Sequence, residues 1–164
     1  RVAARAESAR PDAERTTMGE PAGSGVKVEG DGTKDSPWRL KTPPQKSEYT
    51  LFRDDSVQPP LLVCDVGSTR LTYLARVVDD MHAMLVAHGD WMPLGAADEK
   101  DEPAEGTVEA WGRSPSNPVG GWYGQRKGYR GRVGMYVPPL LEVLGLVELE
   151  HGARNNRVRA IVAR

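Results

Sequence analysis

The residues best suited to chemistry lie in the last third of the chain. In GGWYGQRKGYRGRVG (120–134), Arg126, Lys127, Arg130 and Arg132 are interleaved with Trp122, Tyr123 and Tyr129. Cations at this spacing can neutralise phosphates, and the rings between them can stack on bases. The glycines let the backbone come close to a ligand. A second set follows in EHGARNNRVRA (150–160), where Arg154, Arg157 and Arg159 stand with Asn155 and Asn156. Arg157 and Arg159 alternate onto one face of a predicted strand and can act together on a phosphate backbone. Each set also has a plainer reading. The loop rings can finish a core while their neighbouring cations pair with carboxylates elsewhere, because charge runs are commonly solvated faces. The second set can equally be the charge that protects an edge hairpin from aggregation. Both pairs of readings stay open on sequence.

Other reactive side chains form no constellation. His82 and His88 lie six residues apart, about 600° of helical rotation, so they point to different sides of one helix. With His151 and Cys64 they make no metal-ligand spacing, and neither a metal nor a cofactor is expected. Cys64, inside LLVCDV, reads as a buried apolar side chain rather than a nucleophile. Asp65 can be a buried acid, but a lone carboxylate makes no acid–base pair. GYRGRVG (128–134) lacks the glycine pattern and preceding strand of a phosphate loop. The expectation is a protein that is not an enzyme.

The elements that must position these residues are short. In residues 1–36 the only large apolar side chains are Val2, Met18, Val26 and Val28, so 1–30 reads as a disordered tail. A targeting peptide is the alternative, but acidic residues interrupt the basic ones. Residues 31–164 read as one globular domain, with halves at 37–95 and 106–164 joined by the acidic loop 96–105. Trp38–Pro44 is an extended lead-in, and Glu48–Arg53, Leu61–Val66 and Thr69–Leu74 form an antiparallel meander, the last two joined at Gly67-Ser68. Arg76–His88 is the main helix, with Val77, Met81, Met84 and Leu85 on one stripe and Gly89 closing it. Thr107–Arg113 predicts two helical turns capped by Thr107. Gly120–Gly134 holds too many glycines for a stable helix. Val137–Leu144 is a short helix opened by Pro138-Pro139 and ended by Gly145. Leu146–Glu150 and Arg157–Ala163 form a terminal hairpin around His151–Asn156. The fold class is therefore α+β: a small antiparallel sheet with one main helix, then a short helix and a β-hairpin.

Composition narrows the function classes. The 164 residues carry 22 basic and 23 acidic side chains, a net charge of −1, with a single cysteine that rules out a disulfide-built fold. No apolar run reaches the ~18–20 residues needed to span a membrane. No signal peptide is visible, and a cytoplasmic location is expected. The charge is segregated: residues 47–105 are strongly acidic and residues 106–164 basic, which points to partners or self-association rather than to fold.

Two resemblances add to this. The order of short helix, strand, basic turn and strand in residues 107–163 resembles the C-terminal half of a winged helix-turn-helix, with the hairpin as wing. It departs from that pattern in the glycines of 120–134, where the second helix belongs, and in Pro138-Pro139 and Glu142, where base-reading side chains belong. DGTKDSPWRLKTPP (31–44), GTVEAWGRSPSNPVGGWYG (106–124), RGRVGMYVPPLLEVLGL (130–146) and EHGARNNRVRA (150–160) resemble an uncharacterised family of small bacterial proteins, a domain of unknown function. That resemblance implies a free-standing bacterial domain and no activity. The leading expectation is a non-catalytic nucleic-acid-binding module contacting its target through Arg126, Lys127, Arg130, Arg132, Arg154, Arg157 and Arg159, with Trp122, Tyr123 and Tyr129 stacking. The alternative is a protein-interaction or self-associating domain with no nucleic-acid role.

Overall fold

A computed structural model describes residues 28–97, 101–124 and 132–162. Four strands, β1 (Trp38–Lys41), β2 (Glu48–Asp54), β3 (Leu61–Val66) and β4 (Thr69–Leu74), form an antiparallel sheet in chain order. The meander thus has one strand more than the sequence pattern indicates, because the proline-flanked lead-in also pairs, Leu40 with Tyr49. Register follows the pleat. Leu51 and Cys64 are cross-strand partners, Cys64 and Leu71 likewise, and all three are buried toward the core. Phe52 and Val63 pair on the opposite face, where the Arg70 guanidinium covers the Phe52 ring at 5.9 Å. Asp65 sits there too, half-buried and ion-paired to Arg70 at 2.7 Å, so it is no isolated acid.

Helix α1 (Val77–His88) follows directly, burying Val77, Met81 and Leu85. Gly89 closes it in the left-handed region and donates its N–H to the Leu85 carbonyl. The chain then returns through β5 (Met92–Pro93) into a second sheet. Its order is β5-β7-β6, with β6 at Val147–Leu149 and β7 at Arg157–Ala160, so β7 is the central strand and not a free hairpin arm. Between β5 and β6 run α2 (Val108–Arg113), a 3-10 turn (Trp122–Gly124), α3 (Val133–Tyr136) and α4 (Pro138–Val143). Thr107 caps α2 as expected, its Oγ1 accepting the Ala110 N–H at 3.1 Å.

Buried side chains of both sheets and of α1–α4 form one contiguous cluster, from Leu40 and Tyr49 to Leu149 and Val158. Tyr49 reaches across it, donating its hydroxyl to the Tyr136 carbonyl at 2.7 Å. Most of the tail expected at 1–30 lies outside the described residues, but its end belongs to the fold. Val28 packs against the core, and Glu29 bridges Arg39. No described helix is long and apolar enough to cross a membrane.

Candidate binding cleft

The terminal hairpin carries its charge in matched pairs. Arg159 stands opposite Glu148 in the β6–β7 register, with nitrogen and oxygen 2.8 Å apart. Arg157 grips Glu150 with two nitrogens, at 2.7 and 3.1 Å, and donates its backbone N–H to the same carboxylate at 2.8 Å. Both guanidiniums also lie over the half-buried Trp91 ring, at 5.1 and 4.6 Å from its centroid. Arg157 and Arg159 share one exposed face of β7. Their charge, however, is already answered from the neighbouring strand.

Arg154 differs. The turn that carries it is built around Asn156, whose side chain accepts the Gly152 N–H at 2.6 Å and donates to the Gly152 carbonyl at 3.0 Å. Asn155 is left-handed at φ +59°, a conformation asparagine tolerates. This closed turn presents Arg154 exposed, and among the described residues it has no bonded partner.

Arg154 lines a cleft of about 710 Å³. The apolar part of the lining comes from Pro43 and Pro44 after β1, Pro93 and Leu94 at β5, Ala96, Ala104 and Met135. The polar part is Glu105, Thr107 and the turn residues Arg154 to Arg157. Sequence-distant segments meet here for local reasons. The Leu94 N–H bonds the Asn156 carbonyl at 3.0 Å, tying β5 to the turn. Gly95, at φ +62°, lies so close to Thr107 that any Cβ there would collide with that side chain. Thr107 in turn donates its hydroxyl to the Ala104 carbonyl at 2.8 Å. His151 fixes the other side, contacting the Pro43 carbonyl at 2.9 Å and Glu142 Oε2 at 2.7 Å. Burial works against its charge, but Glu142 and the Pro43 carbonyl outweigh that, and the His151 pKa is raised.

The aromatic loop resolves differently from its expected role. Tyr123 is fully buried, packed on Trp111 at 5.2 Å between ring centroids and donating its hydroxyl to Asp80 at 3.1 Å. This corrects its assignment as a base-stacking residue, since a ring with no exposed surface meets no ligand. Trp122 is half-buried with the Arg113 guanidinium over its ring at 5.0 Å. Arg132 is half-buried at the N-terminal end of α3, contacting Met135 and lining a small cavity of about 100 Å³ with Thr69 and Tyr136. Arg126, Lys127, Tyr129 and Arg130 lie outside the described residues.

The short helix before the hairpin does not supply a reading surface. Pro138, Pro139, Leu140 and Leu141 of α4 are all buried, which follows from its apolar sequence and leaves no polar face for a groove. Cys64 has no exposed surface, and burial pushes its thiol far above the ordinary range. Among the described residues no group of three His, Cys, Asp or Glu side chains comes together to hold a metal ion. Sequence reasoning missed the cleft's prolines and Glu105. The signals for them were the paired Pro43-Pro44 of the lead-in and the acidic loop 96–105 that ends on Glu105, while Pro93 carried none.

A model described as a family of unknown function (DUF6855) matches residues 30–161. No curated protein and no solved structure matches the chain.

Proposed function

Because the chain belongs to this family of unknown function, DUF6855, which brings no activity with it, we propose on geometry that it is a non-catalytic binding module whose ligand is a segment of another protein seated in the 710 Å³ cleft. The lining of the cleft carries the reading. Its volume lies within the ~300–1,000 Å³ range of ligand sites, and it pairs an apolar floor with a few convergent polar groups. Pro93 removes a backbone donor from edge strand β5, so strand addition there is disfavoured and side-chain docking favoured. A random-dodecapeptide phage library panned on the full chain tests it. Enriched peptides should bind, and Ala104→Trp, which fills the cleft from an exposed position, should weaken them at least tenfold. Failure to enrich any peptide, or affinity indifferent to Ala104→Trp in a folded variant, sinks the reading.

Nucleic-acid binding is the second reading. It is favoured by the basic stretch 125–131, whose flanking residues Gly124 and Arg132 both lie beside β4. It predicts a gel shift with mixed duplex and single-stranded oligonucleotides that fades steeply with salt. The ion-paired state of Arg157 and Arg159 weighs against it, because phosphate would have to displace carboxylates already in place.

A further inference from the structure

We infer that Arg154 is the anchor of the cleft and that the docked segment carries an acidic side chain whose carboxylate it takes. The inference rests on the proposed cleft reading and adds the chemistry of the ligand. Arg39, Arg53, Arg70, Arg76, Arg113, Arg157 and Arg159 each hold a carboxylate within 3.4 Å, and Arg132 contacts Met135. Arg154 is left with no bonded partner among the described residues, and it lines the large cleft. The Asn156–Gly152 ring holds the turn in shape before any ligand arrives, which lowers the ordering cost of binding. A guanidinium offers two parallel donors to one carboxylate, so a single Asp or Glu satisfies it.

The surroundings favour a peptide over a polyanion. Glu105 stands on the same cleft and repels a run of phosphates, while Pro44, Pro93 and Met135 offer apolar contact to neighbouring side chains of an extended chain. The ligand is then a segment with one acidic residue beside apolar ones.

The test uses peptides enriched from the dodecamer library, resynthesised and titrated by fluorescence polarisation against the full chain. Enriched sequences should share an Asp or Glu. Arg154→Ala should raise Kd about tenfold, Asp→Asn or Glu→Gln in the peptide should do the same, and the two changes together should cost little more than either. Arg154→Lys should restore part of the affinity. If Ala104→Trp weakens binding but Arg154→Ala does not, the cleft stands and the anchor assignment falls. If Arg154→Ala weakens peptides irrespective of their acidic residue, the carboxylate assignment falls. If no peptide binds but oligonucleotides do so in an Arg154-dependent way, both the segment reading and its acidic chemistry are overturned in favour of nucleic acid. Arg154 is exposed, so its variants are expected to fold, which circular dichroism checks.

Discussion

Glu109 and Arg113 stand one helical turn apart in α2, their charges meeting at 3.0 Å around a carboxylate with no exposed surface. The same carboxylate accepts the Gly134 N–H of α3 at 2.8 Å, and Arg113 donates onward to the Ala97 and Asp101 carbonyls. One buried pair thus ties α2 to α3 and to both described ends of the acidic loop that supplies Ala104 and Glu105 to the cleft.

Removing the arginine should therefore be costly. Arg113→Met leaves the carboxylate buried without its cation, and a loss of roughly 3–5 kcal/mol is expected in urea unfolding at neutral pH. Burial already raises the Glu109 pKa, against the opposing pull of the Gly134 N–H and Arg113. An acid whose folded pKa exceeds its unfolded value loses stability as pH rises. The Arg113→Met deficit should accordingly shrink on acidification. A deficit independent of pH between 5 and 8 contradicts the assignment.

Tyr123 provides a separate check on the aromatic loop. Tyr123→Phe removes only the hydroxyl that bonds Asp80, and a loss of about 1–2 kcal/mol is expected. Tyr123→Ala opens a cavity beside Trp111 and should cost about 3–5 kcal/mol. Peptide or oligonucleotide affinity should be the same for Tyr123→Phe as for the parent, whereas a contact residue would show a change.

Much of this architecture is legible along the chain because it is local. The apolar run LLVCDV and the turn at Gly67-Ser68 place β3 and β4 without reference to anything distant. Likewise Val77, Met81 and Leu85 mark the buried side of α1. Helix α3 is not legible, since glycine propensity argues against it. Tertiary packing overrides propensity there: a Cβ on Gly134 would sit 2.7 Å from the Leu94 carbonyl oxygen, so only glycine allows α3 to approach β5. The cleft is hidden for another reason. Its lining comes from segments around Pro43, Leu94, Glu105 and Arg154, and no periodicity links positions so far apart. The ion-paired state of Arg157 and Arg159 depends on register, which the alternation of each strand suggests but does not specify.

That register makes a prediction about nucleic acid. Glu148→Gln with Glu150→Gln frees both guanidiniums on one face of β7. If carboxylate pairing is what keeps this face from phosphate, the double variant should shift oligonucleotides at low salt more strongly than the parent. Equal shifts by both proteins would show that the pairing does not gate this surface.

Cys64 should be chemically silent. It has no exposed surface, and burial, then the nearby Asp65 charge, push its thiol well above the ordinary range. The thiolate is the reactive form, so iodoacetamide at pH 8 should leave the native protein unmodified while labelling it fully in urea. Rapid native labelling, read by intact mass, would place the thiol at the surface instead.

His151 sets the pH dependence next to the cleft. Its Nδ1 lies 2.9 Å from the Pro43 carbonyl and from Gln45 Nε2, and its Nε2 lies 2.7 Å from Glu142. In the imidazolium both ring nitrogens donate, to the carbonyl and the carboxylate, with the Gln45 amide turned to present its oxygen. Burial lowers the pKa, Glu142 and Pro43 raise it, and the net direction is up from the ordinary 6.5. A base raised in this way stabilises the fold fully below its unfolded pKa, and the contribution is lost as pH climbs through the folded pKa. Stability should therefore decline from about pH 6.5 upward, by under ~1 kcal/mol for a pair this close to solvent. His151→Gln should flatten that decline. A proton NMR titration of the ring should find its midpoint above 6.5, and a midpoint below that value would mean that burial outweighs Glu142 and that the latch joining Pro43, α4 and the Arg154 turn tightens at alkaline pH instead.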